Sequence, residues 1–482
     1  MAHVPLAPIG PIDQPGARDL SRRDFLGLTG AGALALLLAA CSSSPSGTGG
    51  GNSAFPIGAA KRAKSKPVPV TLWHSMGSNN LTTLQHLAAA FNGSQGDVKV
   101  TLVGQTGYPQ TLTAYTAALS GGSLPDLVQI ESVDVQLMLD SQSIVLAQDA
   151  VDADHYDLSD FLPSTVKYFT VAGKLVAMPF NISTQILYYD QNAFTRAGLD
   201  PAAPPTTFDE VQSASRQLIS AKAGKYGISL KLTSSNFEDW ISIGGGDFLD
   251  NGNGRVSRAT AVSFGGELGT QIVEWFSSML TSKLAEATPG SGLSGYDNLL
   301  GVPEGVAPMT IDTSAALGTV SAIVKSGMYP KVKLGIGGVP GPPGPGGVPI
   351  GGAGLYLVKA SAPERQDGAW QFVKFLLEPE SLATWAAGTG YLPIRQSAVQ
   401  TTTMQQAWSA VPGYKVAYEQ LERSPATTAT AGGVSGAASQ IGTDVTNMLT
   451  AIANGQSPAS ALSAAVQACN QAIASYNSRV SG

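Results

Sequence analysis

The chain has 482 residues, enough for two or three domains, with 43% hydrophobic and 13% charged residues and a formal net charge of −6. That acidic balance argues against a nucleic-acid partner, because proteins that track phosphates carry a basic surface. Two cysteines, Cys41 and Cys469, make no disulfide framework, while 56 glycines and 30 prolines point to many turns.

Residues 1–40 read as an export signal. Ser21-Arg22-Arg23-Asp24-Phe25-Leu26 is a twin-arginine pattern. The apolar run that follows, Phe25–Ala40, is short and rich in Gly and Ala, whereas a membrane-spanning helix needs roughly 20 apolar residues. Leu38-Ala39-Ala40-Cys41 has the form of a lipobox, so cleavage before Cys41 is expected to leave a lipid-anchored protein outside the cytoplasm. Residues 41–66 are Ser/Gly/Pro-rich and are expected to form a flexible tether ending in Lys61, Arg62, Lys64 and Lys66.

The folded part begins near Pro67. Val68, Val70 and Leu72 alternate as a strand, and Leu84, Leu87, Ala88 and Phe91 recur at helical spacing. Val98, Val100 and Leu102 form the next strand, a helix is expected from about Pro109 to Leu119, and Leu127–Ile130 is an apolar strand. Strand and helix in alternation predict a parallel sheet with helices on its faces. In such sheets ligands sit beyond the carboxyl ends of the strands, where His74, Ser75, Gly107-Tyr108 and Glu131 fall.

Phe180-Asn181-Ile182-Ser183-Thr184 is a polar kink ahead of the apolar strand Ile186–Tyr189, a natural crossing between two domains. A short helix carries Phe194, Gly198 and Pro204-Pro205 interrupt it, and Thr207 with Glu210 three positions on forms a capping box for a new helix. Ile228–Leu232 is a strand, and Phe237 and Trp240 open a helix. Asp250-Asn251-Gly252-Asn253-Gly254 starts like a calcium loop, but Ala261 stands at its twelfth position, so a hairpin turn is the reading. Val306–Ile311 is a strand ending at Asp312-Thr313-Ser314. Gly338, Gly341, Gly344 and Gly347 recur among prolines over a stretch too short for a collagen helix and are expected to form a rigid surface loop. Leu355–Val358 is a strand, Pro363–Leu377 a helix, and helices run to the end. There Cys469 shares a face with Leu462, Val466 and Ile473 as a small buried hydrophobe.

Four histidines, and no HExxH, nucleophile elbow or phosphate-binding P-loop, leave no defensible hydrolytic or redox centre, and no cofactor or metal is expected. A carbohydrate-active hydrolase would need Glu131 paired with Asp126 or Asp312 across one bond. What is present suits a polyol, which is held by planar polar groups on its hydroxyls and by aromatic faces.

Taken in order, WHSM (Trp73–Met76), Gly107-Tyr108, LPDLVQIE (Leu124–Glu131), FNxST, LYYxxxAFxxAGLDPxxPPxTF, the IGGA turn and TGYLP resemble the solute-binding proteins of ABC importers. Within these the chain is most similar to the glycerol-3-phosphate and glycerophosphodiester binders of the carbohydrate-uptake group, over roughly Val70 to Val399. The resemblance implies an α/β, two-lobed periplasmic-binding-protein fold of type II. Lobe 1 would comprise residues 67–181 and 354–395, lobe 2 residues 186–349 and 396–482, with crossings near Ile182–Ile186, Pro349–Ala353 and Ile394–Gln396. It implies that Tyr108 and Tyr391 contact the ligand, that Glu131 accepts from its hydroxyls, and that Ser183 donates from the crossing. Thr313 keeps a hydroxyl where the family has serine, Gly352 offers its backbone N–H, and Phe237 with Trp240 stand where the family has two tryptophans. The family's phosphate-gripping arginine aligns with Gly442, so a neutral oligosaccharide or a glycerophosphodiester is an alternative to glycerol 3-phosphate, with Arg395 as a candidate substitute. The partners implied are the small solute, the transmembrane subunits of an ABC permease, and the membrane through the lipid on Cys41. The protein itself would act as a monomer that performs no covalent step.

Overall fold

The computed structural model describes residues 55–290 and 297–480. The expected export signal, Cys41 and most of the tether lie outside the described residues. Residues 55–66, assigned by composition to the tether, are folded instead. Phe55 meets Trp370 edge-on with ring centroids 6.4 Å apart, and the Asp367 carboxylate accepts from the Gly58 and Ala60 amides at 2.9 Å each. Burial of one ring and two amide bonds to a carboxylate offset the entropy such a segment would otherwise keep.

The first lobe begins with β1 (Val68–His74), β2 (Val98–Gly104) and β3 (Leu127–Glu131), with the helices Ser78–Ser94 and Tyr108–Gly121 between them. β1 lies parallel to both neighbours, in register Val68↔Val98 and Leu72↔Leu127, as the strand–helix alternation requires. β4 (Ile144–Val145) is followed by the small hairpin of β5 (Thr170–Val171) and β6 (Lys174–Leu175), and then by the wholly buried β7 (Met178–Ser183).

After Thr184 alone the chain enters the second lobe. Its sheet contains β8 (Gln185–Asp190), β9 (Ile228–Leu232), β10 (Ala285–Pro289), β11 (Met309–Thr313) and β12 (Leu334–Gly337), in the order β10-β9-β11-β8-β12. The helix Phe208–Ser220 starts at the expected capping box, with the Thr207 hydroxyl accepting from the Glu210 amide and Glu210 accepting from the Thr207 amide, each at 3.2 Å. β13 (Gly351–Val358) then returns to the first sheet, antiparallel to β3, β4 and β7. The Gly/Pro-rich residues before it are wedged against the second lobe, where the Ser242 hydroxyl donates to the Gly347 carbonyl at 2.7 Å. The Asp250 turn is a hairpin-like reversal closed by the Leu249↔Val262 bridge, and the Asp250 carboxylate accepts from the Thr260 amide at 2.7 Å.

The third passage comes later than Ile394–Gln396. Arg395 is held on the first lobe by Asp160, and the helices Gln396–Val399 and Thr402–Ala410 pack on Pro379–Thr389. Only with Gly413–Arg423, which lies on β12, does the chain reach the second lobe, whose core the helices Ala438–Ala453 and Pro458–Val480 complete. Cys469 is buried there among apolar neighbours, and burial pushes its thiol up to about 12, so it packs and does not react. Away from the crossings the lobes are tied at Asp140. Its carboxylate accepts a bidentate pair from Arg258 (2.8 and 2.7 Å) and the Tyr476 hydroxyl (2.9 Å) of the second lobe.

Candidate functional site in the interlobe cleft

The crossing defines the site. β7 ends at Ser183 and β8 starts at Gln185, so the rims of the two sheets meet around Thr184, whose carbonyl accepts from the Ser314 amide at 2.8 Å. On the first lobe this rim carries the carboxyl ends of β1 and β3, and on the second those of β9 and β11. Register then places the residues: Gly351 lies opposite Ser183, Gly352 opposite Ile182, Ala353 opposite Glu131, and Thr313 opposite Gln185. Glu131, Ser183, Gly352 and Thr313 are thus gathered where the lobes adjoin.

Glu131 is half-buried at the end of β3, and burial together with the neighbouring Asp134 carboxyl pushes its pKa up to about 7. Burial raises Asp134 to about 6, partly countered by a hydrogen bond from Ser439 of the second lobe. A hydrogen donor reaching either carboxyl would favour its charged form. Beside them the Tyr108 hydroxyl lies 3.2 Å from that of Tyr391 and accepts from the Asn181 amide at 2.7 Å. Tyr391 is stacked on Trp385 (5.6 Å between centroids, 10° between planes), which stacks on Phe180. Tyr108 opens the helix Tyr108–Gly121, so its position follows from the turn after β2.

Gly352 has φ +106°, and a Cβ there would stand 1.9 Å from the Asn181 carbonyl oxygen. Glycine is required for this close approach of β13 to β7, which fixes Asn181 behind Tyr108. The Thr313 hydroxyl accepts from the Ala315 amide at 3.2 Å and so also caps a short turn. His74 is buried, its Nδ1 accepts from the Met76 amide at 3.1 Å, and burial lowers its pKa, so it stays neutral.

Three expected site residues stand elsewhere. Phe237 is 0% exposed and meets Phe264 and Phe248 edge-on in the second core. Trp240 is 1% exposed, lies edge-on to Phe208 and Trp275, and donates its indole N–H to the Pro340 carbonyl at 3.2 Å. An aromatic wall needs an open ring face, and both rings are enclosed. Arg395 is committed to Asp160 (2.7 Å), the Leu377 carbonyl (3.2 Å) and the face of Phe161 (5.0 Å), so it stitches the first lobe together and does not serve as a phosphate clamp. Helical spacing alone does not tell a ligand-facing aromatic from a core one. Residues that sequence reasoning missed are Asn181, Asp134, Ser234 and Ser439. Asn181 sits inside the FNxST motif and Asp134 lies three positions after Glu131, the signals by which they were within reach. A Cβ on Gly442 would stand 3.3 Å from the Ser234 hydroxyl, on the second-lobe side.

The other cations of this region are engaged as well. Lys231 pairs with Asp312 at 3.0 Å, and Arg255 is buried among the carbonyls of Tyr168, Thr170, Ala431 and Gly432. As for the hydrolase geometry, Asp126 precedes β3 and is bound by Arg365 (2.5 Å) and the Thr71 amide (2.8 Å). Five strand residues, about 17 Å at strand rise, separate it from Glu131, while glycosidase carboxyls stand roughly 5–10 Å apart.

Two α/β lobes, joined by strand crossings and bringing the carboxyl ends of their strands together, define a two-lobed binding protein of the periplasmic type. The chain belongs to the bacterial extracellular solute-binding protein family, whose model matches residues 86–412. It is 31% identical over 409 residues to the sn-glycerol-3-phosphate-binding periplasmic protein UgpB of Yersinia pseudotuberculosis, covering 83% of this chain and 90% of that one. The UgpB of Salmonella paratyphi A is 30% identical over 417 residues, covering 84% and 92%. Its fold is shared with UgpB from Mycobacterium tuberculosis, solved in complex with glycerophosphocholine, at a TM-score of 0.70 and 20% identity over 85% of this chain and 99% of that one.

Proposed function

We propose that this cleft captures a hydroxyl-rich solute without a formal dianion, a neutral sugar or polyol or a glycerophosphodiester, and delivers it to the membrane subunits of an ABC importer. The observation that carries the reading is the Glu131–Asp134 carboxyl pair beside the Tyr108–Tyr391 hydroxyls, in a region where Lys231, Arg255, Arg258 and Arg395 already have partners. A carboxylate accepts from hydroxyls and repels a phosphate dianion. Ligand bound between the lobes stabilises the closed form in proportion to its preference for that form. In this reading Cys41 carries the lipid that keeps the protein at the outer face of the cell membrane, and no covalent step takes place.

A second reading, sn-glycerol 3-phosphate itself, is favoured by the names of the sequence relatives. It would need backbone N–H groups to hold the phosphate, since Gly442 offers no side chain. Thermal shift and calorimetry with glycerophosphocholine, maltose and sn-glycerol 3-phosphate separate the two. Stabilisation by either of the first two without product release supports the proposal, stabilisation by the last alone supports the second reading, and turnover of any of them overturns both.

A further inference from the structure

Behind the Tyr108–Tyr391 pair runs a chain of hydrogen bonds whose direction is set at its far end. The Ser75 amide can only donate, and it donates to Gln129 Oε1 at 2.8 Å. The other end of that side chain is therefore its NH2, which donates to Asn181 Oδ1 at 2.7 Å. Asn181 is oriented in turn, and its Nδ2 donates to the Tyr108 oxygen at 2.7 Å. Gln129 is 1% exposed and Asn181 0%, so water cannot reorient either amide. With an amide proton on its Asn181 side, Tyr108 must direct its own proton away from Asn181, the side on which the Tyr391 hydroxyl lies 3.2 Å away.

We propose that Gln129 and Asn181 are positioning residues that hold the Tyr108 hydroxyl proton away from Asn181 and toward the site, so that Tyr108 donates to an acceptor oxygen of the solute while Glu131 accepts from its hydroxyls. The inference rests on the function proposed above and narrows the solute. It must present an acceptor oxygen next to free hydroxyls, and an ether, glycosidic or phosphodiester oxygen, as in glycosides and glycerophosphodiesters, suits that place better than a hydroxyl because it brings no proton of its own. Gly352 belongs to the same device, because its lack of a Cβ lets β13 lie against the Asn181 carbonyl.

Asn181→Asp tests the relay with almost no change of shape. Aspartate only accepts, so Tyr108 turns its proton inward, and affinity for glycerophosphocholine or maltose, whichever the wild type binds, is expected to fall at least tenfold. Gln129→Glu reaches the same end one residue further back: Asn181 must flip to donate to the introduced carboxylate and then presents its oxygen to Tyr108. Both effects are expected to vanish in a Tyr108→Phe background, which a merely structural role would not produce. Wild-type affinity in both folded variants overturns the relay, and so does a loss that persists unchanged in Tyr108→Phe. Neutron diffraction of the ligand-free protein decides the point without a solute: a deuteron bonded to Tyr108 and directed away from Asn181 supports the relay, and one bonded to Tyr108 and directed at Asn181 overturns it. If the wild type binds none of these solutes, the function proposed above fails, and the neutron map still decides the relay.

Discussion

The side chains expected at the site divide between the lobes, Tyr108, Glu131 and Tyr391 on the first and Phe237, Trp240 and Thr313 on the second. The first lobe brings its expected side chains together: Tyr108 and Tyr391 share a hydrogen bond, Asn181 donates to Tyr108, and the Glu131 carboxyl is near enough to raise the Tyr108 pKa. The second lobe does not, since Phe237 and Trp240 belong to a core cluster with Phe208, Phe248, Phe264 and Trp275. What it offers at the rim is small and polar, Ser234, Thr313 and Ser439. The difference shows how a polar residue after a buried strand is constrained by desolvation to face a partner, whereas an aromatic at helical spacing gains as much from either side of its helix.

The largest expected effect breaks the comparison at Trp240. Trp240→Ala removes an enclosed ring and should cost about 3–5 kcal/mol of stability in urea unfolding. Protein that remains folded should bind solute with unchanged affinity. A stable Trp240→Ala protein that has lost its ligand response would put the ring back in the cleft.

The parts of this molecule that were legible in the sequence were those set by local chemistry. The β1–β3 alternation, the Thr207–Glu210 box and the Asp250 reversal depend on neighbours a few residues apart. Residues 55–66 and Arg395 were misjudged because their partners, Trp370 with Asp367 and Asp160, lie hundreds of positions away. Asn181 is visible in the sequence only as part of a motif, since its role exists only once β13 is laid against β7.

Next in size is Glu131→Ala. A hydrogen bond to a charged group contributes about 1.5–3 kcal/mol, so solute affinity should fall by roughly ten- to a hundredfold, and the solute-induced stabilisation should shrink or vanish with it. The ligand-free fold should be no less stable, because a carboxyl held away from water is removed. Unchanged affinity would move the site elsewhere. Arg395→Ala is the counterpart on the same lobe: it should lose about 1.5–3 kcal/mol of stability by freeing Asp160, with solute affinity held within about twofold. A loss of affinity without a loss of stability would restore Arg395 to the site.

Titration sharpens the contrast further. Glu131 and Asp134 have folded pKa values raised to about 7 and about 6, so the stability they contribute is complete below the usual carboxylate range. It is lost as pH rises through 6 and then 7. The melting temperature of Glu131→Gln should therefore gain on the wild type between about pH 5 and pH 8. Solute that donates hydroxyl protons to Glu131 favours its charged form, so binding near pH 6.5 should release protons, visible as a buffer-dependent binding enthalpy. A pH-independent difference between the two proteins would show that Glu131 titrates as an exposed carboxylate.

Gly442→Arg has the smallest expected effect on stability and the most pointed consequence for the second wall. Position 442 lies within the helix Ala438–Ala453, where replacing glycine stabilises by roughly 0.5–1 kcal/mol. Its Cβ would approach only the Ser234 hydroxyl, at 3.3 Å, a side chain free to turn aside. One turn earlier Ser439 already reaches Asp134 across the cleft, so a guanidinium from 442 would enter beside the carboxyl pair and lower both pKa values. A bidentate grip on phosphate of this kind should raise affinity for sn-glycerol 3-phosphate by about tenfold or more while leaving maltose unaffected. The stability gain without the phosphate gain would mean that the 442 face of the helix points away from the solute, and that the second lobe contributes only its small polar side chains, Ser234, Thr313 and Ser439.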